Sequence, residues 1–164
     1  MGYNQICMNK TVVSVLLPLL VSATSYAGLG DREGSVEHDR RGMSQKAVRE
    51  EPEVHEHYIV HKIKHKNREL REFTNLDGVI FAISWSGNAH PDLSALLGSH
   101  WNKYDRASRK GRGGGHRRRK NLGHTDVVQT PDIVVEKGGH MRAIRGRAYI
   151  QSLIPEGVSL DEIQ

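Results

Sequence analysis

Cysteine and aromatic residues are scarce in this chain, and each shortage excludes something. The single cysteine is Cys7, and it lies in an N-terminal segment that we expect to be removed. A mature chain without cysteine cannot form a disulfide bond or use a thiolate as a nucleophile. Aromatic residues make up 5% of the sequence and hydrophobic residues 37%. This supply predicts a small, mainly aliphatic core that is stabilised by packing alone.

The sequence motifs of common active sites are also missing. The chain contains no GxSxG sequence for a serine nucleophile, no HExxH pair for zinc and no CxxC pair. Such motifs place a nucleophile or a metal ion beside its activating groups. The sequence therefore nominates no catalytic residue and no metal ligand, and we expect no cofactor.

No hydrophobic run has the length of a comfortable membrane span. The longest apolar stretch, residues 11–21, contains Pro18 and follows a polar start. The small residues Ser25 and Ala27 then precede a cleavage position. This arrangement predicts a secretory signal peptide over residues 1–27, rather than the alternative, an N-terminal membrane anchor. We therefore expect export to the periplasm or to the outside of the cell, with no transmembrane segment after cleavage.

The rest of the chain divides into two parts. Residues 28–57 are charged and poor in apolar residues, which predicts a flexible N-terminal segment with one short helix after Ser35. Residues 58–164 carry the apolar patterns of strands and of an amphipathic helix, which predicts a single domain. Within it, residues 108–126 are rich in glycine and in basic residues and have no apolar period, which predicts a disordered loop.

Alternation of apolar and polar residues predicts the strands of this domain. Three patterns, at residues 57–66, 68–75 and 79–85, form a meander, and the third carries no charge on either face and should be central. Two further patterns, at 132–136 and 140–150, flank a Lys-Gly-Gly turn and form a hairpin. Between the two groups, apolar residues recur at helical spacing after Pro91. The sequence thus predicts an α+β fold, in which helices pack on one face of an antiparallel sheet of about five strands.

Three stretches of the chain carry a resemblance to a known family. They are REFTNLDGVIFAISWSG at 71–87, HPDLSALLGSHW at 90–101 and DIVVEKGGHMRAIRGRAYIQSLIPEGV at 132–158. With them the chain resembles the exported bacterial family labelled domain of unknown function 2844, from about residue 28 to residue 164. The resemblance implies an exported protein of this architecture with no established activity. The basic stretch departs from the family pattern, in which this connection carries less charge.

Positive charge is concentrated in one part of the chain. Nine of the 24 Lys and Arg residues lie between Lys103 and Lys120, and Asp105 is the one acid among them. A nucleic-acid-binding domain spreads basic residues over a folded face with aromatic residues among them, so we expect no nucleic-acid partner. The stretch is either a solvated loop or a weak, salt-sensitive contact for anionic lipid headgroups or polysaccharide. In the second case the contacting residues are Arg112, Arg117, Arg118, Arg119 and Lys120.

Four histidines, His55, His57, His61 and His65, recur near the first strand pattern. They share one face if the strand is continuous, but His61 then lies about 13 Å beyond His57, at ~3.3 Å per residue. A zinc or copper ion needs its imidazole ligands together. We therefore predict exposed polar histidines and no metal site.

His61, His140, Arg142 and Asp92 are the candidate functional positions. A histidine beside a carboxylate can act as a general base, whereas a histidine after a glycine turn can instead hydrogen-bond to the turn backbone. We predict a non-catalytic binding or accessory module of the cell envelope, with an envelope protein or an anionic surface as its partner. The alternative is an envelope hydrolase that uses His and Asp acid–base chemistry. A deep polar cleft holding His61 or His140 favours the hydrolase, and a flat apolar sheet face favours a protein partner.

Overall fold

A computed structural model gives the fold and describes residues 28–32, 43–44, 46–113 and 125–164, with the backbone alone at 111–113. The eight strands of the described residues form one sheet, and all paired strands are antiparallel. The strands are β1 (Val48–Arg49), β2 (Glu53–Val54), β3 (Tyr58–His65), β4 (Arg68–Asn75), β5 (Ile80–Gly87), β6 (Asp126–Gln129), β7 (Val134–His140) and β8 (Ala143–Tyr149). Their order across the sheet is β1-β3-β4-β5-β8-β7-β6, and β2 also pairs with β3.

The predicted strand count is wrong, because the sheet has eight strands where the sequence predicts about five. The α+β class, the three-stranded meander β3-β4-β5 and the hairpin β7-β8 are confirmed. The additional strands β1, β2 and β6 are two, two and four residues long and lie at the margins of the sheet. Strands this short are too brief for an alternation of apolar and polar residues to be recognised in the sequence. They form because a longer neighbouring strand has an unpaired edge to which they can hydrogen-bond.

Strand β5 occupies the centre of the sheet, as its uncharged faces predict, and pairs with β4 and β8. The pairing moves from Phe73 opposite Ala82 to Thr74 opposite Ile80, so Phe81 is the extra residue of a bulge. As a result Phe81 and Ala82 pack in the same core, and Ile80 packs in the other. The bulge therefore breaks the strict alternation that the sequence suggests for this strand.

One helical segment covers one face of the sheet. It comprises α1 (Leu93–Leu97), a 3₁₀ turn (Gly98–His100) and α2 (Trp101–Gly113). Its buried apolar residues join the larger of the two cores, whose other buried members are Leu29, Ala47, Ile63, Leu70, Ile80, Ile83, Trp85, Ile133, Val135, Ala148 and Ile150. The segment thus shields the central strands from water, as the helical spacing predicts.

Helix α2 runs further than the sequence predicts. Residues 108–113 continue it, although their composition predicts a disordered loop, and β6 begins at Asp126. An ion pair between Asp105 and Arg109, four residues apart, supports the helix after its apolar stripe ends. The remaining loop residues, and most of the short helix predicted after Ser35, lie outside the described residues.

The start of the described chain packs against the helical segment. Leu29 is 2% exposed, and its amide donates to the main-chain oxygen of Leu96. Gly28 lies so close to the 3₁₀ turn that an added Cβ would come within 3.0 Å of Gly98 Cα. Gly98 itself has a φ of 48°, a conformation that favours glycine. Two glycines therefore allow the N-terminal residues to cross the helical segment at close range.

The opposite face of the sheet is partly covered by the C-terminal segment, residues 150–164. Ile163 is fully buried there, and Tyr58 Oη donates to Glu162 Oε2 at 2.9 Å. These residues belong to the second core, whose buried members are Tyr58, Val60, Phe73, Phe81, Ala82, Val134, Tyr149 and Ile163. The segment covers only the part of this face near that core, and the rest is polar.

Candidate functional site

A polar groove of about 390 Å³ lies on the uncovered part of this face. Its floor is formed by β4, β5, β8 and β7, and the C-terminal segment forms one wall through Asp161, Ile163 and Gln164. The charged and hydroxyl-bearing residues on its floor are Glu69, Arg71, Ser84, Ser86, Glu136, Arg145 and Arg147. A concave site with a few converging polar groups is the usual form of a small-ligand site.

Strand register brings these side chains together. Arg71 lies opposite Ser84, Ser84 opposite Arg147, and Arg147 opposite Glu136, in one row across four strands. The next row contains Glu69 and Arg145 in the same way. Side chains in a row point to the same face and lie about 5 Å apart, so the groove is a continuous strip of charge and hydroxyl groups.

Two of the arginines are held in place by carboxylates and by the C-terminal segment. Arg147 donates to Glu136 Oε2 at 3.0 Å and to the main-chain oxygen of Leu160 at 2.5 Å. Arg71 donates to Glu69 Oε1 and to the main-chain oxygen of Gln164, both at 2.5 Å. These two guanidinium groups therefore connect the wall of the groove to its floor.

Glu136 has a second partner in the groove. Tyr149 Oη donates to Glu136 Oε1 at 3.2 Å. Burial raises the pKa of Tyr149 above its usual value, and the Glu136 carboxylate raises it further. The phenol of Tyr149 thus stays protonated and acts as a donor. Both carboxylate oxygens of Glu136 therefore accept a hydrogen bond, one from Tyr149 and one from Arg147.

Arg145 differs from the other two arginines of the groove. It is exposed, and it makes no ion pair or side-chain hydrogen bond with any residue that the structure describes. It lies opposite Ser86 on β5 and Gly138 on β7, where glycine leaves the floor open. Its guanidinium group can therefore donate to an anionic group that enters the groove.

His61 lies on the other face of the sheet, in a sealed polar cluster. It is 1% exposed, and Glu72 and Thr74 on β4 are both fully buried. Arg49 Nη2 donates to His61 Nδ1 at 2.9 Å. A guanidinium group can only donate, so the proton of the neutral ring resides on Nε2, which lies 3.4 Å from Thr74 Oγ1. Both ring nitrogens have protein partners, so His61 is a structural histidine here.

Glu72 is the residue of this cluster that sequence reasoning missed. It lies directly opposite His61 in the register of β3 and β4, and no part of it is exposed. Leu70, Glu72 and Thr74 alternate along β4, so the pattern did place a carboxylate on the inward face. The signal in the sequence was a charged residue, Glu72, at a strand position that faces the core. A carboxylate buried at such a position needs hydrogen-bonding or charged partners.

His140 and Arg142 lie at the tip of the β7-β8 hairpin, far from His61. The turn is at Met141–Arg142 rather than at the predicted Lys-Gly-Gly, and Arg142 has a φ of 69°. His140 is exposed at the end of β7. Strands β4, β5 and β8 separate it from β3, a distance of about 19 Å at ~4.8 Å per strand. His61 and His140 therefore share no pocket.

Asp92 has a structural role at the start of α1. Its carboxylate accepts hydrogen bonds from the Ser94 hydroxyl at 2.6 Å and from the Ser94 and Ala95 amides at 2.9 and 3.4 Å. The hydroxyl, followed by the two amides, lowers the pKa of Asp92 below its usual value. It also borders a cavity of about 100 Å³ between α1 and β4, too small for most metabolites.

The other predicted polar residues do not meet in a site. No group of three or more His, Cys, Asp or Glu in the described part of the chain could hold a metal ion. His55 precedes β3 and stacks on Tyr58 at 4.5 Å. Arg112 lies in α2 with its side chain undescribed, and Arg117, Arg118, Arg119 and Lys120 fall outside the described residues. Their contact with an anionic surface stays a prediction.

Comparison with known proteins supplies a family. The family model described as Protein of unknown function (DUF2844) matches residues 25–163, so the chain belongs to that family. No curated protein and no solved structure matches the chain. Among the described helices, none is long and apolar enough to cross a membrane.

Proposed function

We propose that this DUF2844 protein is exported and acts as a non-catalytic binding module of the cell envelope, holding a small anionic ligand in the polar groove. The apolar run at 11–21 and the small residues Ser25 and Ala27 support export. The groove supports binding, because it is concave and lined by groups that recognise charge.

Arg145 is the observation that carries this proposal. It lies in a groove whose other two arginines are already neutralised by Glu136 and Glu69. The planar guanidinium group presents paired N–H donors that match a carboxylate, phosphate or sulfate. The Ser86 hydroxyl lies directly opposite Arg145 in the groove and adds a neutral donor and acceptor, which suits a ligand that bears both an anionic group and hydroxyl groups.

The same geometry favours binding over the hydrolase. Among the residues that the structure describes, no histidine lines the groove, so none of them is placed to activate Ser84 or a water molecule. The groove carboxylates of Glu69 and Glu136 accept hydrogen bonds from Arg71 and Arg147, so both are already engaged within the protein.

Calorimetric titration with three probes tests the proposal. Glucuronate and glucose 6-phosphate carry an anionic group on a sugar, and glucose is their uncharged control. The protein is purified after expression of the full chain, as wild type, as Arg145→Gln and as Arg142→Gln, whose exposed arginine lies outside the groove. We expect the anionic probes to bind and glucose not to bind, and Arg145→Gln to weaken binding by about tenfold or more, as loss of a charge-assisted hydrogen bond does. Equal binding of glucose, or equal loss in Arg142→Gln, contradicts the proposal.

A further inference from the structure

One end of the sheet, defined here as the hairpin end, carries an unusual apolar side chain. It comprises the tip of the β7-β8 hairpin and the neighbouring β3-β4 turn. Met141 at the tip is 95% exposed, more than any other large apolar side chain in the described part of the chain. Single apolar side chains are common on protein surfaces, so Met141 becomes informative only through the charges that surround it.

Basic residues surround this tip. The row in which Glu69 pairs with Ser86 marks the start of the hairpin end. The described strands and hairpin turns carry five basic residues in this row or between it and the turns, namely Lys64, Lys66, Arg68, Arg142 and Arg145. Glu69 is the single carboxylate at these positions of the described strands and turns. Among the five, Lys66, Arg142 and Arg145 make no ion pair with described residues, so their charge faces solvent.

The other end of the sheet has the opposite charge. Its described strands and hairpin turns carry Glu53, Glu56, Asp77 and Asp132 and no Lys or Arg. Lys62 pairs with Glu53 and Lys103 with Asp132, and Arg32 lies beside Val79 at this end. Two apolar residues are exposed at that end, Val54 (76%) on β2 and Leu76 (67%) in the β4-β5 turn. The hairpin end is therefore the more positive of the two, which favours it for contact with a negative surface.

We propose that the hairpin end docks on a bilayer that contains anionic phospholipids, with Met141 entering the headgroup region and Lys66, Arg142 and Arg145 above it. Each basic residue near an anionic bilayer strengthens binding, and the apolar side chain gains from leaving water. A polysaccharide offers the charge but no apolar interior, so it gives Met141 nothing to contact. This inference shares Arg145 with the groove, but it rests on Met141, Lys66 and Arg142 and needs no ligand in the groove.

Vesicle flotation tests the docking with the protein purified after expression of the full chain. The vesicles are phosphatidylcholine alone and phosphatidylcholine mixed with phosphatidylglycerol. We expect binding only to the mixed vesicles, weakened by added salt. Met141→Ser should weaken it about tenfold, and Lys66→Gln and Arg142→Gln on the order of fivefold each. Leu76→Ser and Arg32→Gln are matched controls at the acidic end and should leave binding unchanged.

A tryptophan at the tip gives a second readout that does not depend on affinity. The emission of Met141→Trp should shift to the blue on mixed vesicles and be quenched by brominated lipid, whereas Leu76→Trp should show neither change. Equal binding to neutral vesicles, or an equal effect of Leu76→Ser and Met141→Ser, overturns the proposal. Binding to alginate in place of vesicles, unaffected by Met141→Ser, also overturns it and assigns the charge to a polysaccharide.

Discussion

The substitution Gly146→Ala tests how the centre of the sheet is packed. Gly146 on β8 pairs with Trp85 on β5, and an added Cβ would lie 2.3 Å from Trp85 Cζ2 and 2.7 Å from the main-chain oxygen of Glu136. Real Cβ atoms do not approach other atoms so closely, so the indole ring has to move. Trp85 is 4% exposed and packs in the larger core, so moving its ring into the cavity of about 100 Å³ that it borders would break its present contacts.

The expected cost follows from the two obstacles. Overpacking a core costs about 1–3 kcal/mol, and a clash with both a ring and a main-chain atom places Gly146→Ala at the upper end. In a Trp85→Phe background the smaller ring no longer occupies the position of Cζ2. The indole Nε1 has no hydrogen-bond partner in the described structure, so phenylalanine forfeits no hydrogen bond there. We expect Gly146→Ala to cost about 1 kcal/mol less in that background.

Urea unfolding followed by far-ultraviolet circular dichroism measures both values, because this signal does not depend on Trp85. Gly138→Ala is the control, since its Cβ would lie 3.3 Å from Thr125 Oγ1, a side chain that can rotate away. We expect that control to change the free energy of unfolding by less than about 0.5 kcal/mol. The reasoning is refuted if Gly146→Ala matches this control, or if its cost is the same in the wild-type and Trp85→Phe backgrounds.

Two further predictions concern the helix start and the N-terminus. Asp92→Ala should lower the free energy of unfolding by about 1 kcal/mol at neutral pH, because it removes the cap of α1. The pKa of Asp92 is lowered in the folded state, so the stability difference between Asp92→Ala and wild type should be fully present above the usual pKa of 3.8. It should vanish as the pH falls through the lowered pKa of the folded state, which urea titrations at several pH values would show. Expression of the full chain in a bacterial host should release a protein that starts at Gly28, and mass spectrometry of the periplasmic fraction that finds Met1 retained contradicts the predicted cleavage.

The long strands and the helix could be predicted because each buries a periodic set of apolar residues. The pattern at 79–85 carries no charge, and it is the central strand. The hairpin turn was misplaced because a glycine pair resembles a turn in sequence. Gly139 has a φ of 112°, and an added Cβ would lie 2.1 Å from the Ala143 oxygen. Gly139 allows the two strands to approach closely just before the turn. This role becomes visible only once the residues opposite Gly139 are known.

The groove could not be predicted, because it depends on register. Arg71, Ser84, Arg147 and Glu136 come from four strands that are distant in sequence and lie in one row only in the folded sheet. A shift of one residue in any strand would turn its side chain to the other face. Residue type, by contrast, drew attention to His61, which the structure buries beside Arg49 and Thr74 on the other face of the sheet.

The groove and the C-terminal segment depend on each other. Arg71 and Arg147 bind the main-chain oxygens of Gln164 and Leu160, and Ile163 between them is buried in the second core. The wall of the groove is therefore fixed by the same two guanidinium groups that form its floor. A ligand drawn to Arg145 meets a site that is already shaped, since its neighbours have their acceptors in place before binding. Opening the groove would require breaking both contacts and exposing Ile163, so we expect ligands to enter from the hairpin end, where Arg145 lies.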